Sequence, residues 1–199
     1  MVRTPLALIP YLFAAAFTLS GYLWHLSETM PGFGRVSETG TAAVGGPFTL
    51  TDQNNATRSD KDFRGRYMLV FFGYTNCPDV CPTLLGVMDD ALGKLGAKAN
   101  AVAPIFITTD PERDTPTVLK RYFQAFGAKF VGLTGSNGAI MKVAREYRVY
   151  IKKVPLKDGN YAVDHSSTIY LMGPNGQFIT FYDETTGPDA MAADLRKRL

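Results

Sequence analysis

Cysteine is scarce in this 199-residue chain, which has only Cys77 and Cys81. That scarcity excludes a disulfide-dense secreted scaffold, and it excludes zinc or iron–sulfur sites built from four cysteines. An excess of charge is missing too: 21 Lys+Arg face 18 Asp+Glu, a net charge of +3. So small and scattered a surplus offers no basic groove, and nucleic acid drops out as a partner. Repeats at solenoid spacing are absent, which removes solenoids and propellers. What is present, 46% hydrophobic and 20% charged residues, is the usage of an ordinary globular domain. Disordered, collagen-like and polytopic membrane classes do not fit it. The length has room for one domain of about 150 residues plus an appendage.

No formal charge occurs from Leu6 to Leu26. At about 1.5 Å per residue, a helix over that stretch matches a hydrocarbon core of about 30 Å. Arg3 precedes it, and Tyr22, Trp24 and His25 lie near its far end, where such side chains favour the interface. The positive end is expected in the cytoplasm. The stretch is long for a cleaved signal peptide and no small-x-small site follows in Ser27 to Gly34, so residues 1–26 read as an uncleaved membrane anchor. Residues 27–46, rich in Gly, Ser and Thr, read as a flexible tether, and residues 47–199 as the folded domain. An extended Arg-rich transit segment is lacking, which favours a single-pass protein of a bacterial inner membrane, its domain periplasmic, over a mitochondrial one.

Within the domain, Tyr67-Met68-Leu69-Val70-Phe71-Phe72 is short and continuously apolar, as a strand buried on both faces would be. Leu84, Leu85, Met88, Leu92 and Leu95 recur at helical spacing and predict a helix over Pro82 to Leu95, with Met88 on its core stripe. Ile105-Phe106-Ile107 predicts the next strand, then Thr115 as N-cap and Pro116 at the first helical position, with Gly127 as the stop. Phe130 to Leu133 and Val149 to Val154 read as strands around a helix lined by Ile140, Val143, Ala144 and Tyr147. Thr168 to Met172 and Gln177 to Tyr182 flank Pro174-Asn175-Gly176 as a hairpin, ahead of a final helix from Ala190 to Leu199. The fold class is α/β, a central sheet flanked by helices.

Cys77-Pro78-Asp79-Val80-Cys81-Pro82 lies between the buried strand and its helix, where α/β folds present ligand sites. Pro82 biases Cys81 away from helical geometry and suits a first helical turn, so both thiols are expected at the helix's amino end. Unpaired amides and the helix dipole there stabilise a thiolate, the form that attacks disulfides and binds soft metals. Both chemistries stay open, as does a plain disulfide closing a loop too short to stabilise much. His165, in Val163-Asp164-His165-Ser166-Ser167, is the domain's one histidine. A lone histidine is ordinarily just a hydrogen-bonded surface or core residue, but Asp164, Ser166 and Ser167 could orient its ring. Asp110-Pro111-Glu112-Arg113-Asp114 is expected at the same sheet edge as the cysteine loop, as a solvated loop leading into a capped helix or as a docking surface.

Three segments, Phe72-Gly73-Tyr74-Thr75-Asn76-Cys77-Pro78-Asp79-Val80-Cys81-Pro82, Thr109-Asp110-Pro111-Glu112-Arg113-Asp114-Thr115-Pro116 and Asp164-His165-Ser166-Ser167, the last followed by Ile169-Tyr170-Leu171 and Pro174-Asn175-Gly176, occur in this order. In them the chain resembles the Sco/SenC family of membrane-anchored, thioredoxin-like copper proteins that help assemble cytochrome c oxidase. The resemblance implies a thioredoxin-like sheet and one copper ion held by Cys77, Cys81 and His165, with its oxidation state, Cu(I) or Cu(II), left open. It implies a copper chaperone that delivers the ion to the oxidase subunit carrying a binuclear copper site, alongside other periplasmic copper chaperones or thiol reductants. Thiolates select Cu(I) and imidazole suits either state.

The main rival is a thiol–disulfide oxidoreductase in which Cys77 and Cys81 reduce the acceptor's cysteines. Against it, three residues rather than two separate the cysteines, and no proline directly precedes Thr168 to Met172. A peroxidase is suggested by Val80-Cys81-Pro82-Thr83, but Pro78 stands where peroxiredoxins need Thr. A copper sensor or membrane scaffold is a further rival.

Overall fold

A computed structural model describes residues 44–199 apart from 128 and 158. The anchor expected over Leu6 to Leu26, and the tether up to residue 43, lie outside the described residues. Among the described residues no helix is long and apolar enough to cross a membrane. Val44 packs against the core, and the Gly45 N–H donates to the Glu146 carbonyl at 2.9 Å.

The central strand is β3 (Tyr67–Gly73), buried from Met68 to Gly73 as its apolar run requires. It pairs in parallel with β4 (Val102–Thr108) and antiparallel with β8 (Ile169–Met172). Outward from β4 come β5 (Val131–Thr134), then β1 (Thr49–Asp52) and β2 (Thr57–Ser59); outward from β8 comes β9 (Phe178–Tyr182). This seven-stranded mixed sheet has the order β2-β1-β5-β4-β3-β8-β9. The β8–β9 turn uses Pro174-Asn175-Gly176 as expected, with Gly176 in the left-handed region at φ 81.

Alternation along β3 divides the core in two. Leu69 and Phe71 face a layer with α1 (Val80–Leu95), α2 (Pro116–Tyr122) and α4 (Pro188–Arg198). Met68, Val70 and Phe72 face α3 (Asn137–Glu146) together with Phe48 and Phe63. Met88 is fully buried in the first layer, a packing residue. Thr115 caps α2, its hydroxyl accepting from the Val118 N–H at 3.3 Å, with Pro116 in the first turn.

The expected start of α1 at Pro82 is corrected: the helix begins at Val80, with Asp79 as N-cap, so Cys81 is helical. Proline is tolerated there because the first four N–H groups of a helix have no intrahelical partner. A second correction concerns His165. The strand expected over Val149 to Val154 is β6 (Ile151–Pro155), but His165, expected in a loop, ends a further strand, β7 (Tyr161–His165), and the two form a separate two-stranded sheet with His165 opposite Ile151. The short polar pair β1–β2 was not anticipated either.

Candidate metal centre

Parallel pairing sets Gly73 beside Thr108, so the loops leaving β3 and β4 share one end of the sheet. The β3 loop carries Cys77, which is half-buried, and turns into α1, whose second residue is the fully buried Cys81. The amide of Cys81 donates to Cys77 Sγ at 3.4 Å. His165 arrives from the end of β7 and sets Nε2 3.4 Å from Cys81 Sγ. One ligand atom each from Cys77, Cys81 and His165 lie within 4.8 Å of one another, all three residues singled out from the sequence.

The tautomer of His165 follows from its partners. Nδ1 lies 2.9 Å from the Ser166 carbonyl oxygen, which only accepts, so Nδ1 carries the proton and the Nε2 lone pair points at the cysteines. Burial holds the imidazole below its ordinary pKa against the opposing Ser166 bond, so the ring is neutral at physiological pH. Phe71 and Tyr74 meet it edge-on at 6.3 and 5.8 Å. Asp164, expected near the ring, lies on an exposed strand position opposite Lys152.

The expectation that the helix start would hold both sulfurs as thiolates does not survive for Cys81. Burial pushes that thiol well above its ordinary pKa, and the helix terminus does not offset the cost of charging a sulfur with no solvent access. In the free domain Cys81 is a thiol, placed to donate to His165 Nε2. Two cysteine sulfurs from the β3–α1 segment and a neutral imidazole from the end of β7 are a donor set suited to a soft monovalent ion.

Several supporting residues escaped the sequence reading. A Cβ on Gly73 would stand 2.9 Å from Cys81 Sγ and 2.9 Å from the Phe106 ring, so glycine is needed for sulfur to approach the strand. Asp114 is fully buried and accepts from the Thr75 amide at 3.0 Å, the Thr75 hydroxyl at 2.5 Å and the Thr108 hydroxyl at 2.6 Å. It ties the cysteine loop to the end of β4. Burial raises its pKa against those three bonds. A solvated loop is therefore the wrong description of this segment at Asp110 and Asp114, both with 0% exposure. The sequence signal was their position after β4; nothing in it revealed the partners.

A model of the family described as SCO1/SenC matches residues 36–199. The chain belongs to the SCO1/SenC family. The human protein named "Protein SCO1 homolog, mitochondrial" is 38% identical over 164 residues, covering 81% of this chain and 54% of the relative. The chain spans about half the length of such mitochondrial relatives. Among solved structures, Bradyrhizobium japonicum ScoI with copper bound is 48% identical with a TM-score of 0.75, covering 79% of this chain and 100% of that one. BsSco, described as having a disulfide switch and as a member of the Sco family of cytochrome c oxidase assembly proteins, is 27% identical with a TM-score of 0.64, covering 78% of this chain and 93% of that one. The thioredoxin-like α/β fold expected from the sequence agrees with these SCO1/SenC structures.

Proposed function

We propose that this SCO1/SenC protein binds one copper ion through Cys77 Sγ, Cys81 Sγ and His165 Nε2 and hands it to the copper-bearing subunit of cytochrome c oxidase. The observation that carries this reading is the convergence of those three donors within 4.8 Å. Copper is cargo here. Loading displaces the thiol protons, the neutral imidazole enters without losing one, and the resulting Cu(I) site carries a net charge of −1 next to the positive end of α1. Three donors leave the ion open to attack by an acceptor's cysteines, so release proceeds by ligand exchange. Copper in ScoI and the oxidase-assembly description of BsSco support the cargo and the acceptor. An anchor over Leu6 to Leu26, with the domain on the non-cytoplasmic side, would keep the site at the membrane surface where an oxidase is embedded.

A second activity has its own observation: both cysteines are free and Cys77 is the more exposed. Attack by Cys77 on an acceptor disulfide, resolved by Cys81, would leave the acceptor with two thiols and this pair as a disulfide. His165 separates the readings, because thiol exchange does not require it. His165→Ala is expected to leave the fold and the reversible disulfide intact while copper retention falls by at least about 10- to 100-fold, the scale seen for outer-shell changes at metal sites. Assembly of the oxidase copper centre should fall with it. Copper affinity and assembled oxidase are compared with Cys77→Ala and Cys81→Ala. Normal assembly with His165→Ala, against failure of both cysteine variants, would replace copper delivery with thiol exchange.

A further inference from the structure

The hairpin that delivers His165 pairs with nothing in the seven-stranded sheet. A two-stranded hairpin is marginal on its own, and β6 is exposed from Lys152 to Pro155, so side chains must hold it in place. The best-formed hold comes from the segment after β4. Arg113 Nε donates to the fully buried Asp110 carboxylate, and Nη1 donates to Asn160 Oδ1 at 3.2 Å and to the Tyr161 carbonyl at 3.0 Å. Its guanidinium lies 3.9 Å from the centre of the Tyr161 ring, whose hydroxyl donates to Asp110 Oδ1 at 2.9 Å. Asp110, Arg113 and Tyr161 thus close a ring of contacts around the start of the strand that ends in His165. Asp114, one residue beyond Arg113, fixes the same segment to the cysteine loop.

We infer that Arg113 is a positioning residue: it clamps β7 to the loop after β4 and so holds His165 in register with Cys77 and Cys81. Retention of the ion depends on that clamp, because a third donor carried on a loose hairpin must be ordered anew at each binding event. Other contacts, such as the buried Val163, keep the hairpin attached when the clamp is lost, so the consequence is loosening rather than unfolding. This inference rests on the donor assignment above.

The test uses the full-length protein in detergent with Arg113→Gln and Arg113→Lys, the latter keeping the charge without the planar fork. In the reduced, metal-free protein, amide exchange in β7 should rise roughly tenfold, the factor that a lost charge-assisted hydrogen bond represents, while β3 and β4 stay unchanged. Copper(I) should pass to a competing chelator about tenfold faster, and Lys should not rescue. In a His165→Ala background, Arg113→Gln should add nothing. Unchanged exchange in β7, or an equal further loss of copper in that background, would overturn the clamp. Undiminished copper retention by His165→Ala itself would instead overturn the donor assignment. If Arg113→Gln does not fold, Tyr161→Phe removes a single hydroxyl from the ring, and β7 exchange must still rise.

Discussion

At Gly73 the absence of a side chain sets how closely sulfur can approach the central strand. Phe106 closes the space on the other side, so a methyl group at this position must displace Cys81 or the ring. Overpacking of this kind costs about 1–3 kcal/mol. Gly73→Ala is expected to lose that much stability in denaturant unfolding and to weaken copper binding, because the fully buried Cys81 has little room to retreat. The cysteine pair supports a second residue-scale prediction. Both sulfurs are free, lie within 4.8 Å of a common third donor and are separated by one turn of chain, so oxidation should join them reversibly and remove both thiolate ligands together. Copper(I) loading of the oxidised protein, followed by competition with a chelator, should show almost no binding until a reductant is added. Equal loading of the oxidised and reduced forms would remove thiolates from the ligand set.

Among the elements, the hairpin of β1 and β2 turns on Asp52. Its buried carboxylate accepts from the amides of Asn54 at 2.8 Å and Ala56 at 2.9 Å and from Arg58 Nε at 2.9 Å. Burial raises its pKa, but these three donors outweigh that and hold it below the ordinary carboxylate range. A depressed folded-state pKa contributes stability that is present above the unfolded value of about 3.9 and is lost as pH falls through the folded value. Asp52→Asn should therefore cost about 1.5–3 kcal/mol at neutral pH, the scale of a hydrogen bond to a charged group. The gap to the parent protein should close below about pH 4. Melting both proteins from neutral pH into acid checks the sign: a gap that widened in acid would contradict it.

The same hairpin shows where sequence reading runs out. Strand β3 was legible because its apolar run is continuous, and α2 because its cap and proline are local signals. Strand β2 is Thr-Arg-Ser, three residues with no apolar pattern, held by a side chain on its neighbour. Strand β7 was missed for a related reason: the Arg113 contacts that hold it come from 47 and 48 residues away. At the site, Cys77, Cys81 and His165 stood out by their rarity. Gly73 and Asp114 did not, since their roles exist only once β3 and β4 lie side by side; Thr75 and Asp114 are 39 residues apart in the chain.

For the whole molecule, the copper delivery proposed above depends on which side of a membrane the cluster of Cys77, Cys81 and His165 would face. The site is built from loops at one end of the sheet, and its hairpin exposes Val154 and Leu156 beside Lys152 and Lys153. Of the three residues Cys81 is fully buried, whereas Cys77 and His165 are only partly so, and any approach to the cluster is from their side. The proposed delivery would require this protein and an oxidase to meet at one membrane face. Arg3 ahead of the uncharged stretch Leu6 to Leu26 sets the expected orientation, amino terminus in the cytoplasm and domain outside. Intact mass of the membrane-extracted protein should include residues 1–26. Protease added to sealed spheroplasts should digest the domain without lysis. A mature chain starting after Leu26 would remove the anchor, and a domain protected until lysis would put the site on the cytoplasmic face, where glutathione and thioredoxin keep thiols reduced and a reversible Cys77–Cys81 disulfide would not persist.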